Sequence, residues 1–143
     1  MSKGNTFEND LVKLLFNASA IANIADNAAS APLTSLFIAL HTADPGEAGT
    51  QATSEAAYTG YARVAVARTS GGWTVAANQA TNVAAITFGL CIAGSETLTH
   101  FSVGVATSGA AKILYSGALT TPLAVSTGIT PQFAAGALTC TED

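Results

Sequence analysis

Two histidines, two cysteines and a few isolated acids and bases are all that a reaction centre can be drawn from in this sequence. The tetrad His41-Thr-Ala-Asp44 places an imidazole near a carboxylate at a strand end, as a base and its orienting acid would sit. The same residues are explained if His41 closes the strand and Asp44 opens the next turn with its own side chain, and this is the expected role. His100 alternates outward beside Thr99 and is expected at a surface or interface. Ser95-Glu96 and Glu47 read as single carboxylates in loops. Arg63 and Arg68 lie five apart on a strand and point to opposite faces, so they form no phosphate clamp; Lys112 stands alone. No nucleophile elbow, Walker loop, dinucleotide fingerprint or zinc-protease helix occurs. Cys91 and Cys140 lack Cys-x-x-Cys spacing and are expected as small buried hydrophobes, with a disulfide between them as the alternative. With two histidines they make no zinc set. The expectation is a protein with no catalytic, cofactor-binding or metal residues and no small-molecule substrate.

The background is unusual in its charge. Of 143 residues only fourteen are charged, five basic and nine acidic, or 10% against roughly 25% in ordinary domains. Hydrophobic residues reach 49%, yet Ala, Thr, Ser and Gly supply about half of the chain. Disorder is excluded because it needs high charge and low hydrophobicity. A net charge of −4 also argues against nucleic acid, which is held by releasing phosphate counterions. The N-terminus lacks the pattern of a secretory signal, and no run is long and apolar enough for a membrane span. A soluble protein made in a cytoplasm is expected. The segments Thr69–Ser95 and Ile113–Thr141 carry no charge at all; a surface that lies against neighbours avoids the cost of desolvating charges.

The spacing of Phe7, Leu11, Leu14, Leu15, Ala18, Ile21, Ala22 and Ala25 predicts an amphipathic helix over Thr6–Asn27, with Asn5 and Glu8 resembling a capping box. Its stripe must lie on its own sheet or on a neighbouring subunit. Residues 1–32 are expected as a helix and linker arm, and 33–143 as a single β-sandwich domain. Leu33–His41 has large residues on both faces, as a central strand would. Asp44-Pro45-Gly46-Glu47 predicts a type II turn. The Ala48–Gly60 loop, at ~13 residues, is long enough to be functional or ordered by a partner. Short strands then follow over Tyr61–Arg68, Trp73–Val75, Val83–Ile92, Leu98–Val105, Lys112–Leu119, Leu123–Val125, Thr130–Phe133 and Ala137–Thr141, with a hairpin at Gly71-Gly72. The expected fold class is mainly β: an antiparallel, jelly-roll-like sandwich with one N-terminal amphipathic helix. Most aromatics belong to its core, while Tyr58, Tyr61 and Trp73, near loops, are of the types enriched at subunit interfaces. The interface candidates are therefore Phe7, Leu11, Leu14, Asp44, Pro45, Tyr58, Tyr61 and Trp73.

From Leu36 onward the segments LFIALHTADPGEAGTQ, YTGYARVAVARTSGGWTV, AAITFG and TLTHFSVGVATSGAAKILYSGALTTPLAVSTGITPQFAAGALT resemble a family of small tailed-bacteriophage virion proteins. Members are often labelled tail-fibre proteins, and some resemble capsid cement (decoration) proteins. The resemblance covers Leu36–Asp143 and implies a structural role with no catalytic residues to carry over. It leads to the expectation of a cement protein on the capsid exterior. Such a protein would bridge neighbouring major capsid subunits, bind copies of itself as a homo-oligomer and hold by avidity. A tail component, whether fibre-like or tube-forming, is the alternative, and a host-receptor-binding sandwich the third.

Overall fold

The computed structural model describes residues 5–21 and 32–142. Among them are one helix, α1 (Asn5–Asn17), and nine strands: β1 (Ser35–His41), β2 (Val64–Ala67), β3 (Trp73–Ala76), β4 (Gln79–Asn82), β5 (Ile86–Thr87), β6 (Ser95–Gly104), β7 (Ile113–Ser126), β8 (Gln132–Phe133) and β9 (Thr139–Thr141). They form sheets in the orders β2-β1-β6-β7, β3-β4-β9 and β5-β8. The expected class holds: mainly β and antiparallel, with one N-terminal helix. The chain divides into two compact units that interleave along the sequence.

One unit draws on residues 1–35, 67–85 and 133–143. Its sheet pairs β3 with β4 and β4 with β9, both antiparallel, and α1 packs against β3 and β4. The helix ends earlier than its apolar spacing predicted. Ala18 takes a left-handed φ of 53°, and the Ser19 N–H turns back to the Lys13 carbonyl at 3.2 Å. Arg68 then caps the last turn from outside, donating from Nε to the Leu15 carbonyl (2.7 Å) and from Nη2 to that of Leu14 (2.8 Å). A cation at the C-terminal end suits the helix dipole, and α1 has no basic residue of its own there. The 22–27 part of the expected helix, with Ala22 and Ala25, lies outside the described residues, as does the Asn5 side chain of the expected capping box.

The buried face of α1 is also narrower than expected. Val12 and Phe16, one turn apart, are fully buried, whereas Leu11, Leu14 and Leu15 are only half-buried. Phe16 meets Trp73 edge-on, ring centroids 4.6 Å apart, a geometry that aligns the positive ring edge with the negative face. Asn82, fully buried, ties the C-terminal segment down. Its amide donates to the carbonyls of Ala84 and Ala134 and accepts from the Leu138 N–H, each at 2.8 Å.

The other unit comprises residues 36–66 and 86–132. β1 pairs antiparallel with β6, and β6 with β7. Leu36, Ile38, Ala39, Leu40 and His41 are all buried, so β1 is covered on both faces, as its pattern predicted. The four-stranded sheet and the short β5-β8 pair fit the sandwich-like expectation. Past Phe88 the expected alternation of Ile86, Phe88, Leu90 and Ile92 fails: the first two are buried, while Leu90 and Ile92 are exposed. Gly89 and Gly60 approach so closely that a Cβ on Gly89 would overlap the Gly60 carbonyl. That contact breaks the strand and re-aims the side chains beyond it.

Two expectations about connections change. Gly71-Gly72 is no hairpin, because β2 and β3 belong to different sheets. The hairpin falls at Ala77-Asn78, where Ala76 pairs with Gln79, and β4 had no apolar run to announce it. Ala77 sits at φ 53°, a conformation that costs an L-residue about 1–2 kcal/mol. Ala77→Gly is therefore expected to stabilise the protein by about 0.5–1 kcal/mol after the entropy cost of glycine is offset, seen as a raised denaturation midpoint with unchanged m.

Candidate functional site

The polar residues of the 36–66 and 86–132 unit converge inside it. His41 ends β1 fully buried, cross-strand from His100 on β6. Its Nδ1 lies 2.9 Å from the Thr53 carbonyl, which can only accept, so Nδ1 carries the proton and Nε2 accepts from the Ser102 hydroxyl at 2.8 Å. A hydroxyl hydrogen-bonded to an oriented imidazole is the pairing that activates serine nucleophiles. Here both residues have zero exposure, and the remaining valences of the pair go to the fold. The Gln51 amide donates to the Phe37 carbonyl (2.9 Å) and the Ser102 oxygen (3.4 Å), and its carbonyl accepts from Arg63 Nη1 (3.3 Å).

Arg63 is the hub. Nε and Nη2 grip Glu55 in a fork, at 2.7 and 2.8 Å, while Nη1 and Nη2 also donate to the carbonyls of Ala106 (3.0 Å) and Gly109 (2.7 Å). With Gln51, all five guanidinium N–H groups are used. The Arg63 side chain is 1% exposed and that of Glu55 19%. The carboxylate fork pushes the Arg63 pKa above its ordinary value. Glu55 also accepts from the Tyr61 hydroxyl (3.1 Å), whose oxygen accepts from the Leu40 N–H (3.0 Å). Burial pushes Tyr61 well above the usual phenol range.

The long loop is thus ordered by the chain itself. Besides Gln51 and Glu55, Glu96 captures the N–H groups of Ala57 (3.0 Å) and Tyr58 (3.2 Å). Glu96 lies on β6, where a loop carboxylate was expected. Thr59 exchanges backbone bonds with Ala93 and Ile92. Arg63, Gln51 and Glu96 were not among the candidate residues. Their partners lie far off in sequence, and no local spacing links them.

The expected interface residues separate into two groups. Trp73 and Tyr58 are buried; burial raises the Tyr58 pKa to about 12, helped by Cys91 and Glu96. Tyr61 is half-buried, edge-on to Tyr58 at 5.5 Å and stacked over Phe88 at 6.2 Å. Pro45 is buried as well. These four pack within the protomer because their rings fill the space beside the loop and, for Trp73, under α1. Asp44 is exposed and accepts from the Gly46 N–H at 2.9 Å, and Gly46 takes φ 70°; the expected Asx role holds, while the backbone bond closes two residues later than the predicted turn, from the Gly49 N–H to the Gly46 carbonyl at 3.1 Å. Phe7 is 40% exposed and Leu11 and Leu14 are half-buried. Further exposed apolar residues are Leu33, Val83, Leu90, Ile92, Leu123 and Ile129. His100 is half-buried, its Nδ1 2.9 Å from the Thr99 hydroxyl. Cys91 and Cys140 are both free and buried, and burial pushes the Cys140 thiol up to about 12.

The arrangement defines a mainly β protein whose few charged and polar groups brace its loops. Residues 4–141 match the sequence model of the family described as Podophage GP4 fiber I protein gp80. The chain belongs to that family, and with it to the structural proteins of bacteriophage virions. The match takes in α1 as well as the strands. A comparison with curated proteins found no match.

Two outcomes test the network. A Cβ on Gly104 would overlap the Gln51 amide, so Gly104→Ala is expected to cost about 2 kcal/mol, and much less when combined with Gln51→Ala. Urea melts of the two single variants and the double variant give the coupling. For pH, burial lowers the His41 pKa below its ordinary 6.5, outweighing the opposing Thr53 bond and Glu55 charge; Arg63 and His100 lower it further. The folded state then binds fewer protons than the unfolded one. Stability is expected to be level above pH 6.5 and to fall below it, by at most about 1.4 kcal/mol per pH unit. Urea midpoints between pH 7.5 and 5 measure the slope, and a fall in His41→Gln equal to the wild type's would refute its assignment to His41.

Proposed function

We propose that this chain is a non-enzymatic, fibre-associated structural component of a tailed-phage virion, held in place by contacts with copies of itself and with neighbouring virion proteins. The family match over nearly the whole chain carries this reading. The buried network supports it from the chemical side. The Ser102–His41 pair is sealed and its partners are committed to holding a loop, while the sequence is neutral over long stretches. Such a surface suits lateral contacts, because little charge must be desolvated when a neighbour arrives.

A capsid cement role, bridging major capsid subunits from the outside, is the second reading. What favours it is the make-up of the chain: the described residues contain one helix of thirteen residues and strands of two to fourteen residues, with no repeat of the kind that builds a fibre shaft. Cryo-electron microscopy of virions, with the chain located in the density, separates the two. Density at the tail or its fibres is expected. Density on capsid symmetry positions, with hundreds of copies per particle on a stained gel, would instead establish the cement role, and absence from purified virions would overturn both.

A further inference from the structure

Arg68 does more than cap α1. Besides its bonds to the Leu14 and Leu15 carbonyls, it donates from Nη1 to that of Leu33 at 2.6 Å. Its backbone N–H donates to the Thr34 carbonyl at 2.9 Å. The end of α1 and the approach to β1 thus meet side by side on one guanidinium. A connection of a few residues would join two such neighbouring points. The chain uses seventeen, residues 18–34, which span about 55 Å when fully extended. The connection is far longer than the closure it makes.

Few contacts hold α1 in its seat. Val12 and Phe16 are its fully buried side chains, Phe16 against Trp73. The Asn9 amide, oriented to suit its neighbours, donates to the Ala77 carbonyl at 2.6 Å. Against these stand two buried polar atoms with no hydrogen-bond partner among the described residues, Asn17 Oδ1 on the helix and Trp73 Nε1 beneath it. Each has lost its water without recovering a bond. We propose that α1 exchanges between copies of the chain: the helix of one copy docks on Arg68, Trp73 and Ala77 of another and leaves its own seat to the other's helix. The seat selects this occupant. It takes an aromatic ring edge-on to Trp73 and a helix end whose last carbonyls face a guanidinium, and α1 supplies both within residues 14–16. The exchanged contacts are those already made within one chain, so no new interface is required, and the connection has the length to reach a neighbour. In an assembly, where copies stand side by side, the local concentration of a neighbour's helix approaches that of the chain's own.

The inference rests on the proposed assembling role and specifies how copies are joined. Chains carrying Asn9→Cys are mixed with chains carrying Ala77→Cys at 300 µM and treated with a short bismaleimide; the native Cys91 and Cys140 are buried. A 9–77 link between chains is expected, at least tenfold above the yield when Thr130→Cys replaces Ala77→Cys. On the unaltered chain, hydrogen exchange is expected to show the α1 amides opening at least tenfold faster than those of β3 and β4. Mixed chains with no 9–77 link above the Thr130 control overturn the proposal. So does an α1 that exchanges only together with β3 and β4, and that result decides even if Ala77→Cys fails to fold. Absence of the link in a chain that still enters virions removes helix exchange and leaves the structural role standing.

Discussion

A guanidinium that has left water must find every acceptor inside the protein, and Arg63 does so with all five of its N–H groups. Removing one partner of a pair this buried typically costs 3–5 kcal/mol, since the other charge stays desolvated. The acceptors come from two places: Gln51 and Glu55 in the long loop, and the carbonyls of Ala106 and Gly109 in the connection from β6 to β7. Satisfying one charge therefore fixes two irregular segments at once. The rest follows from it. Gln51 can reach Phe37 and Ser102 only if residue 104 has no side chain, and Ser102 completes the shell of His41.

Arg68 repeats the device in the other unit, using carbonyls at a helix end in place of a carboxylate. Two of the five basic residues, and the acids Glu55 and Glu96, are thus occupied with internal architecture. In a chain with 10% charge this leaves little charge for the exterior. The low charge content has two consequences: loops held by a few strong, nonlocal bonds, and strand surfaces that neighbours can cover cheaply.

What was legible in the sequence was local. The Asp44 turn could be read because Asx chemistry, proline and a left-handed glycine act within four residues. The two-faced burial of β1 could be read from its unbroken apolar run. The end of α1 could not, because it is set by Ala18 and by Arg68, some fifty residues away. β4 is polar and short, and it becomes a strand through its pairing with β3 and β9. The brace around Arg63 escaped for the same reason: Gln51, Ser102 and Gly109 share no spacing, only a place in three dimensions. Tyr58 and Trp73 suggested a partner by type, and packing inside the protomer had the first claim on them.

The interleaving of the two units has a temporal consequence. β4 waits for β9, with Ala80 opposite Cys140, so its sheet cannot close until the sixty residues between them have been made. At ordinary rates of synthesis the interval is about 3–12 s, during which the hairpin that carries Trp73 lacks its third strand. Pairings this distant along the chain are also slow to form once available. That sheet thus finishes only after β9 has emerged, and assembly must wait for folding.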